Sequence, residues 1–162
     1  MKYAVRYFTR SGNTKKLADA IAETVGVKAE TVDCNLEEKV DVLFLGSSVY
    51  AGGIDEAVAK FIVNNASKIG KIVNFSTAAV VSSTYKQVKK IAEEAGIKMS
   101  DQEFHCKGSF MIMHKGRPNE DDIANAKNFA KKIVNMHGFD ISLRNNYEGY
   151  TKAFEIRMPI SD

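Results

Sequence analysis

The sequence lacks the features that mark membrane, secreted and metal-binding proteins. Its two cysteines, Cys34 and Cys106, are too few for a disulfide framework and do not have the paired spacing of a metal site. No apolar run approaches the roughly 18 residues that a membrane-spanning helix needs. The start of the chain carries Lys2 and Arg6 where a signal peptide needs an apolar block. These absences predict a cytoplasmic protein with no membrane insertion and no metal centre.

A large excess of charge is also missing. Lysine and arginine total 23 against 20 aspartates and glutamates, so the formal net charge is only +3, and this does not indicate a nucleic-acid partner. Hydrophobic residues make up 44% and charged residues 27% of the 162 positions, which is the balance of an ordinary globular domain. The length fits one domain with a substantial core.

Apolar strand-like runs alternate with amphipathic helical stretches along most of the chain. The patterns predict strands over residues 2–8, 29–32, 42–45, 71–75 and 104–113, and helices over 15–25, 55–69, 85–95 and 119–137. The polar stretch between the second and third strands is too short for a full helix. Five strands and four helices in alternation predict a doubly wound α/β sheet with helices on both faces.

The C-terminal residues 139–162 do not continue this alternation, so we expect them to form an extension of the domain. Apolar and polar residues alternate over 151–157, a pattern compatible with an edge strand, and Pro159 ends any regular structure. A packed or frayed terminus is the other interpretation of the same residues.

The segment after the first strand is rich in groups that bind phosphate. Thr9, Ser11 and Thr14 place three hydroxyls around Gly12, directly before a helix whose first N–H groups are free. In doubly wound sheets, ligands bind outside the carboxyl ends of the strands, and this segment is predicted to lie there. A polar turn with a helix cap accounts for one or two of these hydroxyls. Three hydroxyls around a glycine favour a phosphate site.

Other phosphate motifs are missing from the sequence. There is no Gly-x-Gly-x-x-Gly dinucleotide fingerprint and no Gly-x-x-x-x-Gly-Lys-Ser/Thr loop. Neither cysteine starts a Cys-x5-Arg loop of the phosphatase type. The third strand ends in Ser47 and Ser48, where a receiver domain needs a carboxylate that accepts phosphate.

The pattern Thr9-x-Ser11-Gly12-Asn13-Thr14 resembles the phosphate loop of the flavodoxin family. The similarity extends to residues 46–53, which resemble the family's second flavin loop, to the strand at 72–77 and to the final helix. The resemblance implies a flavodoxin-like domain over residues 1–138 with a five-stranded parallel sheet of order 2-1-3-4-5, followed by the extension over 139–162. It also implies one noncovalently bound FMN.

The resemblance implies a specific cofactor site. The backbone of residues 10–14 is expected to hold the phosphate, and the ring is expected between Tyr50 and residues 77–79. The implied cofactor-binding residues are Thr9, Arg10, Ser11, Gly12, Asn13, Thr14, Ser48, Val49, Tyr50, Ala51, Gly52, Thr77, Ala78 and Ala79. No side chain is expected to act as a catalytic acid or nucleophile. Residues 76–83 are small and apolar where many flavodoxins carry an aromatic residue and acids, so one flavin face is expected to be covered by Ala78 and Ala79 alone or left open.

The function implied is electron transfer to and from redox partner proteins. The alternative is an FMN-dependent oxidoreductase that uses NAD(P)H and a quinone, and a third hypothesis is a binding module of the same fold without redox activity. Members of the family are usually acidic. The positive net charge of this chain therefore predicts either a different partner surface or a local acidic patch.

Basic residues follow the last predicted strand. His114, Lys115 and Arg117 are expected at the ligand-binding edge, where they would make the field at the ring mildly positive, hold the phosphate of a nicotinamide donor, or form a plain solvated loop. Met111 and Met113 are expected to pack.

Two other side chains carry structural expectations. His137 is expected to end the last helix, where a cation suits the helix dipole, and Cys106 is expected to be buried.

Overall fold

A computed structural model describes residues 1–49, 53–80 and 83–155, and within 140–155 it describes the backbone alone. The strands are β1 (Tyr3–Tyr7), β2 (Ala29–Thr31), β3 (Val40–Ser48), β4 (Ile69–Ala78) and β5 (Lys98–Lys107). The helices are α1 (Asn13–Val25), α2 (Glu56–Asn64), α3 (Tyr85–Glu94) and α4 (Glu120–Glu155), with a single 3₁₀ turn at Ala66–Lys68. No helix in the described part of the chain is long and apolar enough to cross a membrane.

The strands form one parallel sheet in the order β2-β1-β3-β4-β5. This order confirms the predicted doubly wound architecture. The chain moves from β1 to β2 on one side and then returns to β3 on the other side of β1. The carboxyl ends of β1 and β3 therefore lie side by side at the point where the strand order reverses, which is where such sheets bind ligands.

Helices cover both faces of the sheet and create two hydrophobic cores. The continuous burial of β3 from Val42 to Ser47 is typical of a parallel strand packed on both faces. On one face, α2 and α3 pack through residues that include Ile62 and Val88. On the other face, α1 and α4 pack through residues that include Leu17 and Ile133.

The predicted helix over 55–69 is too long. Helix α2 ends at Asn64 because the next residue, Asn65, is buried and uses its side chain elsewhere. Its Nδ2 donates to the Phe61 carbonyl at 2.9 Å and its Oδ1 accepts from the Leu36 N–H at 2.9 Å. Ile69 then begins β4 instead of ending a helix.

The predicted strand over 104–113 is shifted along the chain. Strand β5 occupies Lys98–Lys107, and residues 108–118 form a loop. The start of β5 was missed because it is an edge strand whose residues Asp101 and Glu103 are exposed, so no apolar run marks it. Met111 and Met113 were expected to pack, and this expectation is wrong: both lie in the loop and are exposed.

Helix α4 continues well past the predicted end at residue 137. His137 therefore lies within the helix, with its Nδ1 2.8 Å from the Ile133 carbonyl, and the expectation that it ends the helix is wrong. The alternative of an edge strand over 151–157 is wrong as far as Glu155, because those residues are helical. Residues 156–162 lie outside the described part of the chain. The domain boundary between residues 138 and 139 stays a prediction.

A glycine in the central strand, Gly46 of β3, leaves room for the ring of Phe75 from the neighbouring strand β4. A Cβ atom at Gly46 would lie 2.2 Å from ring atoms of the buried Phe75 on the neighbouring strand. Gly46→Ala is therefore expected to lower the free energy of unfolding by about 1–3 kcal/mol. Urea unfolding of the two proteins measures this difference.

The matched control is Gly138→Ala, because a Cβ at the helical Gly138 meets nothing within 4 Å. This variant is expected to be as stable as the wild type or more stable, by up to about 1 kcal/mol. Equal stability of Gly46→Ala and the wild type would contradict the close packing of β3 on Phe75.

Candidate functional site

The loops at the carboxyl ends of the strands enclose a cavity of about 510 Å³. Many of the residues predicted to bind a cofactor line it: Arg10, Ser11, Asn13, Ser48, Val49, Thr77, Ala78 and Ala79. The sequence did not predict the remaining lining residues, which are Val80, Gly108, Ser109, Phe110 and Met111. The structure thus brings together residues of the first (9–14), second (46–53) and third (76–83) predicted loops. A fourth loop, at 108–118, also contributes lining residues, although only its residues His114, Lys115 and Arg117 were expected at this edge.

The first of these loops leaves the N-terminus of α1 without a side-chain cap. Gly12 is the N-cap residue in a left-handed conformation with φ 83°, which favours glycine. The nearby Thr9 hydroxyl accepts from the Gly12 N–H at 3.0 Å, and the first turn of α1 contains no acidic residue. By contrast, Asp55 caps α2 by accepting from the Ala57 N–H at 3.0 Å. The free N–H groups of α1 form a site for an anion.

The two residues that follow Gly12 join this loop to the rest of the site. Thr14 is fully buried, and its Oγ1 lies 2.9 Å from the Oγ1 of Thr77 at the end of β4. Asn13 donates from Nδ2 to the Ser109 carbonyl at 2.9 Å. The three predicted phosphate-binding hydroxyls therefore differ in position: those of Thr9 and Thr14 make internal bonds, whereas Ser11 is exposed at the cavity.

The end of β3 contributes an unsatisfied polar group to the cavity. The Oγ of Ser48 is buried and has no hydrogen-bond partner in the described residues. Leaving a buried hydroxyl unpaired costs free energy. Val49 donates its N–H to the Thr77 carbonyl at 3.2 Å, which joins the second loop to the third. Tyr50, Ala51 and Gly52, also predicted to bind the cofactor, lie outside the described residues.

The fourth loop reaches the cavity because of a glycine at the end of β5. A Cβ at Gly108 would lie 3.2 Å from both Asn13 Nδ2 and Thr77 Cβ, so glycine permits this close approach. The sequence prediction extended the last strand to residue 113 and therefore missed that residues 108–111 line the cavity. The signal available in the sequence was Gly108 itself, which follows the polar end of β5.

The cations of the site are mostly paired. Arg10 contacts Asp55 at 2.8 Å, and the pKa of Asp55 is lowered by the Ala57 N–H and by Arg10. A role for Arg117 at the ring or at a donor phosphate was one of the alternatives from the sequence, but Arg117 binds Asp122 at the start of α4 through two contacts of 2.5 and 2.6 Å. That pairing is the physical reason why Arg117 does not line the cavity.

Two other titratable groups, Cys106 and His105, lie near the site. Cys106 is buried as predicted, and burial raises its pKa to about 12. His105 lies 3.2 Å from the Ser76 hydroxyl, and partial burial lowers its pKa. Among the described residues, no group of three or more His, Cys, Asp or Glu side chains could hold a metal ion.

Comparison with known proteins agrees with this geometry. Residues 4–109 match the flavodoxin domain family. This range includes the first three loops and the first two residues of the fourth. The chain belongs to the flavodoxin family. This membership confirms the family that the Thr9–Thr14 motif indicated.

The relatives of this flavodoxin-family protein include an uncharacterised protein of the archaeon Methanocaldococcus jannaschii. The two are 31% identical over 136 residues, which cover 75% of this chain and 90% of the relative. Among solved structures, a flavodoxin from the domain Archaea has a TM-score of 0.70 at 20% identity, covering 84% of this chain and 98% of the other. Flavodoxin 1 from Bacillus cereus has a TM-score of 0.64 at 17% identity, with coverages of 83% and 98%.

A larger protein contains the same fold. The rubredoxin oxygen:oxidoreductase of Desulfovibrio gigas matches with a TM-score of 0.65 at 16% identity, and the match covers 83% of this chain but only 35% of that protein. At these identities the structural matches show the fold.

The burial of Cys106 predicts which thiol of this flavodoxin-family protein reacts. Iodoacetamide attacks the thiolate, and with a pKa of about 12 Cys106 is a thiolate in only about one molecule in ten thousand at pH 8. Cys34 is exposed. We expect the native protein to label at Cys34 alone and the unfolded protein to label at both, as measured by mass spectrometry. Rapid labelling of native Cys106 would contradict its burial.

Proposed function

We propose that this protein binds one FMN noncovalently and carries electrons between redox partner proteins. The observation that carries the proposal is the uncapped N-terminus of α1, which lies beside a cavity of about 510 Å³ at the carboxyl edge of the sheet. Its family membership supports the same function.

The phosphate of FMN fits the first loop. The free N–H groups at the start of α1 and the positive end of the helix dipole favour an anion there. A Cβ at Gly12 would meet nothing within 4 Å, so the space above the loop is open. The described lining residues include no carboxylate that would repel a phosphate. We propose that residues 9–14 hold the phosphate, mainly through their backbone.

The ring of FMN fits the apolar part of the cavity. We propose that Ser48, Val49 and residues 77–79 hold it, with Tyr50, Ala51 and Gly52 completing the site. The buried Ser48 hydroxyl then gains the polar partner that it lacks in the protein alone. When bound, FMN supplies the one- and two-electron redox chemistry. The protein binds and orients it, excludes water with apolar walls, and needs no side chain as a catalytic acid or nucleophile.

The state of the two cysteines supports a proposal for the cellular location. Cys34 and Cys106 are both free thiols, and unpaired cysteines are usual in a reducing compartment. We therefore propose that the protein works in the cytoplasm.

The variant Ser48→Ala tests the cavity assignment. Removing an unpaired buried hydroxyl is expected to stabilise the flavin-free protein by roughly 1 kcal/mol, since the penalty of desolvating it disappears. The same change is expected to weaken FMN binding, by about fivefold to tenfold for one lost hydrogen bond. Thermal unfolding and quenching of FMN fluorescence measure the two effects, which have opposite signs.

The matched control is Ser47→Ala. The Ser47 hydroxyl is also buried without a partner in the described part of the chain, but it does not line the cavity. We expect this variant to gain stability and keep the wild-type affinity for FMN. If Ser48→Ala binds FMN as tightly as Ser47→Ala does, the ring lies elsewhere.

The function itself is tested by reconstitution with FMN followed by two measurements. We expect a yellow protein with the visible absorption of a bound flavin, slow oxidation of NADH and NADPH in the presence of a quinone, and rapid electron exchange with redox proteins. Fast steady-state oxidation of a nicotinamide donor would establish the oxidoreductase alternative instead. A protein that takes up no flavin would be a binding module.

A further inference from the structure

The turn formed by residues 110–113 is a preformed, apolar projection beside the cofactor cavity. Phe110 and Met113 exchange backbone hydrogen bonds of 2.9 and 2.8 Å, which closes a two-residue turn with Met111 and Ile112 at its tip. Met111 has φ 52°, a conformation that a bulky side chain rarely adopts. Strain of this kind persists only where the surrounding structure holds it, and it is concentrated at binding sites.

The tip of this turn faces solvent with its apolar side chains. Met111 and Ile112 are each 83% exposed, and Phe110 and the neighbouring Val80 are exposed as well. Phe110, Met111 and Val80 also line the cavity. A cluster of exposed apolar side chains marks an interaction surface, and this one includes the mouth of the proposed FMN site.

Contacts on both sides hold the turn in place. The Ser109 N–H donates to the Arg117 carbonyl at 3.0 Å, which closes the base of the loop. His114 Nε2 lies 3.1 Å from the Ala79 carbonyl, and Asn13 binds the Ser109 carbonyl. A surface that is already ordered loses little entropy when it binds, so these contacts favour association through the turn.

The charges around the turn define the partner. No acidic residue occurs between Glu103 and Glu120 in the sequence, so the whole loop is basic or neutral. Arg117 is neutralised by Asp122, whereas Lys107 and Lys115 make no ion pair with any described residue. Lys107 precedes the apolar turn and Lys115 follows it, so the turn is flanked in the chain by positive charge (together, the positive rim), and the local acidic patch considered from the sequence is not in this loop.

We infer that the 110–113 turn is the docking surface for a redox protein whose cofactor lies in an apolar recess surrounded by carboxylates. This inference rests on the proposed electron-transfer function and names the class of partner. The apolar tip fills the recess, and Lys107 and Lys115 meet the carboxylates. A second copy of this chain is a poorer occupant, because a symmetric contact through the turn would bring these lysines together.

The test measures binding of the FMN-loaded protein to two purified carriers by calorimetry. An acidic ferredoxin is the probe, and the basic cytochrome c is the comparison. We expect the ferredoxin to bind more tightly than cytochrome c and to bind less tightly as salt is raised, because the rim charges are screened. Ile112→Ser is expected to weaken ferredoxin binding by about tenfold at every salt concentration.

Each variant has a control elsewhere on the surface. Val63→Ser removes an exposed valine from α2, and Lys131→Glu reverses an exposed charge on α4; neither residue belongs to the cavity or the turn. Both are expected to bind ferredoxin as the wild type does. Lys115→Glu is expected to weaken binding by about tenfold at low salt and to lose most of this effect at high salt.

Four results would overturn the inference: tighter binding of cytochrome c, binding of neither carrier, no effect of Ile112→Ser, or an equal effect of Val63→Ser. Sedimentation of the protein with anionic phospholipid vesicles, lost in Ile112→Ser and not accompanied by ferredoxin binding, would assign the turn to a membrane surface instead. Self-association lost in the same variant would assign it to a second copy. The flavin absorbance of each sample shows separately whether the proposed FMN binding holds.

Discussion

The proposed FMN site depends on the N-terminus of α1, whose first backbone N–H groups have no side-chain cap. The local sequence maintains this arrangement. Gly12 adopts the positive φ that the turn requires. The Thr9 hydroxyl accepts a hydrogen bond from the Gly12 N–H and does not cap the helix. Thr14 is buried against Thr77, which fixes the helix relative to the end of β4. Because β1 lies at the reversal of strand order, the same helix end opens onto the cavity that the other loops form. The proposed ligand, FMN, combines an anion with a planar ring and so matches both features.

Two ion pairs neutralise arginines near the proposed phosphate site. The aspartate of each pair also accepts a backbone hydrogen bond at the start of a helix. Asp55 caps α2 and binds Arg10, while Asp122 exchanges capping hydrogen bonds with Asn119 at the start of α4 and binds Arg117. These pairs remove two cations from the field at the cavity. They leave Lys107, the last residue of β5, and Lys115, which follows the apolar turn in the 108–118 loop, without an ion-pair partner among the described residues. The proposed cofactor site is thus nearly neutral, and the proposed docking surface is positive.

The α/β class and the position of the loop at residues 9–14 could be predicted from the sequence, because both depend on local patterns, whereas the sheet order came from the family resemblance. Alternating apolar runs and helical stripes determine the α/β class, and the hydroxyls around Gly12 mark the loop. The family resemblance implied Ser48, Val49 and residues 77–79, which the structure brings to one cavity. The sequence placed His114, Lys115 and Arg117 of the fourth loop at this edge. The cavity-lining part, residues 108–111, was missed, since the exposed edge strand β5 carries no apolar signal and the apolar tip at Met111 and Ile112 looked like a strand. The pairing of Arg117 with Asp122 depends on how the loop folds back onto α4, which no spacing in the sequence reveals.

The central claim, that the free end of α1 holds the phosphate of FMN, is tested most directly by the backbone amide signals of the ¹⁵N-labelled protein. Spectra are compared after addition of FMN and of riboflavin, which has the same ring but no phosphate. The account predicts that FMN shifts the amides of residues 10–15 strongly, whereas riboflavin shifts Ser48, Val49 and residues 77–79 and leaves residues 10–15 nearly unchanged. Amides of residues 10–15 that respond equally to both ligands, or to neither, would contradict it.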